Sequence, residues 1–130
     1  MPGMGDARLA SLVRALRTGG PTARQRALAA LARRSERAAA PEVALLLRDP
    51  LPALRAEAAR ALSRLATQAE IPILLEALDD PEADVRYWAA VALGNLASPS
   101  AVLALIRLAR REPVAEVREA AREAIPKTAW

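Results

Sequence analysis

The chain matches itself. Displaced by 31 residues, Ala23-Arg24 falls on Leu54-Arg55 and then on Val85-Arg86, and Val117-Arg118 follows after one inserted residue. Four positions beyond the apolar member of each pair stands a small residue: Ala27, Ala58, Ala89, Ala121. Eight beyond it stands a large one: Leu31, Leu62, Leu93, Ile125. A second phase runs through Leu12, Val43, Leu74 and Leu105, and through Leu16, Leu47, Leu78 and Ala109. A period of this length means stacked supersecondary units, none of which can bury its apolar face alone. Spacings of four and eight within a unit are helical, so the chain is expected to be all-α.

Prolines punctuate the units and split each into two helices. One domain over residues 1–130 is expected, with four hairpins at about 6–35, 36–67, 68–97 and 98–127 and residues 1–5 as a flexible lead. The first hairpin is expected from Asp6, an N-cap candidate, to Arg17 and from Thr22 to Arg34; the second from Pro41 to Asp49 and from Leu51 to Ala66. In the third, Ile71 to Leu78 precedes a helix capped by Asp80, with Pro81 at its first position, where a missing N–H costs nothing. From Val85 to Leu96 nearly every residue is apolar or small, which demands neighbours on both flanks; Ile71–Leu78 is read as buried on two sides as well. The fourth hairpin starts at Ser98-Pro99 and continues past Glu112-Pro113. The first helix carries one stripe (Leu9, Leu12, Val13, Leu16), and the last has Arg122 in the slot of Ala59 and Ala90. Both read as caps of a complete short solenoid.

Composition closes several functional classes. The chain has no Cys and no His, which removes thiolate chemistry, disulfides, and the commonest general base and metal ligand. No catalytic residues are expected, and no cofactor. The acidic cluster Asp79, Asp80, Glu82 and Asp84 lacks the alternating ligand spacing of a calcium loop, so no metal site is assigned to it. No apolar run is long enough to span a bilayer and no signal peptide is evident, so a soluble cytoplasmic protein, monomeric or weakly oligomeric, is expected. Twelve of the 19 basic residues but only five of the 15 acidic ones precede Thr67, so the two ends should carry fields of opposite sign.

The string Asp-Pro-x-x-x-Val-Arg-x-x-Ala-Ala-x-Ala-Leu-Gly from Asp80 to Gly94 resembles the HEAT-like repeats of the phycobilisome-lyase type. Repeats 2 and 3 fit well. Repeat 4 has Glu112 for the aspartate and lacks the glycine, repeat 1 has Thr18 at the aspartate position, and Ala32 and Ser63 replace Gly94. The resemblance implies a right-handed α-solenoid of four helical hairpins, an α-α superhelix with first helices convex and second helices concave. It also implies a ladder joining neighbouring repeats, built from Asp49, Arg55, Asp80, Arg86, Glu112 and Arg118, with Arg24 as the arginine of repeat 1. Family metal hydroxylases use His-Glu pairs, which a chain without His cannot supply. An accessory role beside a bilin-lyase-like enzyme remains as one alternative.

Tyr87 and Trp88 break the pattern. They occupy slots filled elsewhere by Gln25 and Arg26, Ala56 and Glu57, and Glu119 and Ala120, so these slots vary while the buried ones do not. An aromatic pair in a chain nearly devoid of aromatics is the profile of an interface anchor, against the plainer reading of packing over the next repeat. Asp84, Val91, Asn95, Glu57 and Arg60 are placed around it by register. The expected function is a non-catalytic scaffold that binds a protein on its concave face. The rival is nucleic-acid binding, with Arg26, Arg33, Arg34, Arg37, Arg60 and Arg64 tracking phosphates and Tyr87 or Trp88 stacking on a base.

Overall fold

The computed structural model describes residues 2–127, with side chains described from Ala7 onward. Among the described residues there are eight α-helices and no strand. They are α1 (Pro2–Thr18), α2 (Pro21–Arg33), α3 (Ala40–Leu45), α4 (Pro52–Leu65), α5 (Ile71–Ala77), α6 (Ala83–Leu96), α7 (Val102–Arg111) and α8 (Ala115–Ala124). Consecutive pairs form the four expected hairpins. α1 starts ahead of Asp6 and takes in residues 2–5, so the helix begins earlier than expected; the Asp6 side chain, Met1 and Trp130 lie outside the described residues. Short 3₁₀ turns precede α3, α5 and α7, and another follows α3, so the first helices of repeats 2 and 3 are shorter than their apolar stretches.

The turns before the second helices differ from expectation in a useful way. Asp80 does not cap α6: the helix begins at Ala83, and Pro81 sits in the turn. Instead Asp80 Oδ1 accepts from the Glu82 N–H at 2.9 Å and closes the turn. Asp49 does the same for the Leu51 N–H at 2.8 Å, and Glu112 for the Val114 N–H at 3.2 Å. Short polar side chains that bond the backbone two residues on favour turns over helix interiors.

Two layers result. The second helices α2, α4, α6 and α8 pack in one unbroken series, whereas successive first helices touch only sparsely. The seam of the tight layer needs small residues. A Cβ on Gly94 would stand 2.9 Å from both Cα and Cβ of Ala124 in α8. A stack tight on one side and splayed on the other curves towards its tight side, so the second helices line the inner face. The repeated positions are the core: Ala58, Ala89 and Ala121, with Leu31, Leu62, Leu93 and Ile125, are buried. Splaying also explains why α5 covers Ile71, Leu74 and Ala77 but leaves Ile73 and Leu75 half-buried, not enclosed on both sides as expected. The outer layer is bridged by exposed ion pairs, Arg17–Glu42 and Arg48–Glu76, each worth little on its own. At the N-terminal end α1 is an incomplete cap, for Ala23 is exposed and joins Leu12 and Ala30 around an open cleft of about 520 Å³.

A ladder ties repeat to repeat. Arg55 donates to Asp80 from Nε and Nη2 at 2.9 and 3.3 Å, and from Nη1 to the carbonyls of Asp49 and Pro50 in its own turn. Arg86 donates likewise to Glu112 at 2.8 and 2.7 Å, and to the carbonyls of Asp80 and Pro81. Arg24 reaches Asp49 through Nη1 alone at 3.1 Å, and its buried Nε has no partner among the described residues. Each carboxylate thus closes its own turn and receives the preceding repeat's arginine. The Arg86 bond holds the Glu112 carboxyl below its ordinary value of 4.5, against the effect of burial and with help from the Val114 N–H. A carboxyl depressed in the fold stabilises it above its unfolded value and stops doing so as pH falls through the folded one. Glu112→Gln should therefore cost about 2 kcal/mol at neutral pH, since it leaves Arg86 poorly paired. Urea unfolding from pH 7 to pH 3 should show the two proteins converging below pH ~4.5; a gap that persists at pH 3 would mean the charge is not what the rung uses.

Candidate functional site

The inner face is built from the outward positions of α2, α4 and α6. There the helices enclose a groove of about 360 Å³, floored by Leu28, Ala32 and Ala61. Its walls bring together Arg33, Arg60 and Arg64, with Glu57, Ser63 and Trp88. The small floor residues follow from the tight seam: with alanine between neighbouring helices, the longer side chains one position outward become the walls. Among the described residues no carboxylate lies within ion-pairing distance of Arg33, Arg60 or Arg64. Three guanidinium groups therefore face the groove without carboxylate partners.

Trp88 is neither a bare surface anchor nor a core residue. Both aromatics are half-buried and pack against the core. Their rings meet edge to face, with centroids 4.9 Å apart and planes at 88°. The Arg60 guanidinium lies 5.7 Å from the Trp88 ring centroid, within cation–π reach. The indole is thus held from two sides, and it keeps enough open surface to form one wall of the groove.

The remaining expected residues divide. Asp84, Val91 and Asn95 are on α6 with the aromatics, but they do not line the groove. Asn95 has a structural task, donating from Nδ2 to the Ser63 carbonyl at 2.8 Å and pinning α6 to α4. Arg26 borders the N-terminal cleft, Arg34 pairs with Glu36 at 3.2 Å, and Arg37 sits in the turn before α3. Arg33 also borders the N-terminal cleft, so Arg26, Arg33, Arg60 and Arg64 line two adjoining clefts, and Arg34 and Arg37 line neither. Sequence reasoning had assigned Arg33 and Arg64 to a rival site and missed Leu28, Ala32 and Ala61 altogether. Their signal was present: Arg33, Arg64 and Asn95 share one register position, as do Arg60 and Val91, so they belong to the face that carries Trp88.

Among the described residues no group of three or more carboxylates is placed to hold a metal ion, and no helix is long and apolar enough to cross a membrane. The Arg60–Trp88 contact is measurable. A double-mutant cycle with Arg60→Ala and Trp88→Leu should give a coupling of about 0.5–1 kcal/mol in urea unfolding, and a coupling near zero would show that the pair does not hold the indole. A family model for HEAT repeats matches residues 9–90 and, in an overlapping second match, residues 43–126. No curated protein matches the chain.

Proposed function

This chain belongs to the HEAT repeat family, and from that premise we propose that it is a non-catalytic protein-binding module. Its inner groove receives an acidic segment of a partner protein. The observation that carries this reading is the convergence of Arg33, Arg60 and Arg64, without carboxylate partners among the described residues, beside the half-open face of Trp88. Guanidinium groups bind carboxylates through paired, directional bonds, and an aromatic held in place supplies apolar area at low entropic cost. Glu57 in the same groove sharpens the choice. Its carboxylate repels an unbroken phosphate chain, whereas separate acidic side chains can be spaced to pass it. The absence of His and Cys from the sequence supports a binding role over catalysis.

A nuclease-treated pull-down tests this, with wild type, Trp88→Ala and Arg60→Gln/Arg64→Gln as baits. The expected result is one discrete acidic protein held by wild type and lost, by about tenfold or more, from both variants. Retention should fall several-fold between 0.1 and 0.3 M salt, because exposed guanidinium–carboxylate pairs are screened, but less steeply than for a tracked phosphate chain. Recovery of nucleic acid in its place, when nuclease is left out and with steep salt dependence, would overturn the reading in favour of phosphate binding.

A further inference from the structure

Of the repeat arginines, Arg55 and Arg86 make complete rungs, Arg24 makes a partial one to Asp49, and Arg118 reaches no carboxylate of a following repeat among the described residues. Its Nη1 donates to the carbonyls of Glu112 and Pro113 at 2.9 and 3.0 Å, as Arg55 and Arg86 do in their own turns. In those two the Nε–Nη2 edge closes on the next repeat's carboxylate. Among the described residues the same edge of Arg118 meets none.

Arg118 borders a cavity of about 390 Å³ at the C-terminal end of the stack, together with Ile106, Ala109, Arg110 and Arg122. The composition of that cavity has a precedent one repeat earlier. Ile106, Ala109, Arg110 and Arg118 occupy the register positions of Leu75, Leu78, Asp79 and Arg86. Those four border the cleft whose opposite wall is Ala104, Leu108 and Glu112 of the next repeat. Among the described residues the end cavity repeats that half-site and nothing forms a second wall, and Arg110, in the place of Asp79, and Arg122 make it more positive than the precedent. Arg122 is only loosely engaged, 3.9 Å from Glu119 across an exposed pair.

We infer that this end of the stack is a second binding site, which takes a helix of another polypeptide bearing a carboxylate just past its last turn. The precedent gives the ligand's pattern: apolar residues at positions i and i+4 and an acidic one at i+8, as in Ala104, Leu108 and Glu112. The apolar pair covers Ile106 and Ala109, and the carboxylate completes the Arg118 rung. A second copy stacked head to tail does not fit. It would present Thr18 at the carboxylate position, and its leading end carries Arg8, Arg14 and Arg26.

The test uses the intact protein and a capped peptide copying residues 101–115 with Arg107→Gln, Arg110→Gln and Arg111→Gln, so that Glu112 is its charged group at the contact. Binding is read by NMR at the Arg118 Nε–H signal. The expected result is a saturable shift of that signal, with affinity about tenfold weaker for the Glu112→Gln peptide. Protein carrying Arg122→Gln, which leaves the Arg118 turn bonds intact, should bind the peptide several-fold more weakly. Equal binding of the two peptides, or no shift at millimolar peptide, would overturn the inference. So would a signal that moves when residues 128–130 are removed, which would assign the edge to the chain's own terminus, or one that moves with protein concentration alone, which would assign it to a second copy.

Discussion

The fold depends on how closely the second helices approach one another. At the α6–α8 seam a single added methyl on Gly94 would meet the Ala124 backbone at 2.9 Å. Packing this dense leaves no room for adjustment: an overfilled seam costs about 1–3 kcal/mol. The rest follows from it. A tight inner layer and a splayed outer one give the stack its curvature. Alanine at the seam makes the groove floor shallow and apolar, and the next positions outward become its walls. The ladder then fixes register, because Arg55 and Arg86 each bond both to their own turn and to the following one.

The same chemistry serves inside and out. Within the stack, guanidinium edges close on carboxylates that are themselves held by turn N–H groups, so both partners are positioned before they meet. On the inner face and at the C-terminal end, guanidinium groups are presented in comparable settings without carboxylate partners among the described residues. Structure and proposed recognition therefore differ in who supplies the acid.

Much of this was legible from residue types. The columns through Ala89 and Leu93 named the core, and the four hairpins followed from the period. The ladder residues share one spacing, and the resemblance implied that they join neighbouring repeats; which carboxylate each arginine takes was not legible. That Arg55 pairs with the aspartate of the next repeat, and not with its own Asp49, needs the curvature to be known. Asp80 was misread as a helix cap because its Asp-Pro signal suits both a cap and a closed turn; the bond to Glu82 decides between them. Ile71–Leu78 was misread as enclosed because an apolar run does not reveal that neighbouring first helices stand apart. Trp88 was found by its rarity, whereas its groove partners were split between two hypotheses because a list of arginines carries no geometry.

Positions that repeat make the fold, and positions that vary make the face. One urea-unfolding comparison addresses it: Ala89→Leu, in the buried column of small residues, against the fourfold variant Arg33→Gln, Glu57→Gln, Arg60→Gln, Arg64→Gln. The single seam substitution should cost about 2 kcal/mol or more, and the four face substitutions together should stay within about 1 kcal/mol of wild type. A face variant that unfolds as readily as the seam variant would contradict it, for the groove arginines would then be holding the stack together.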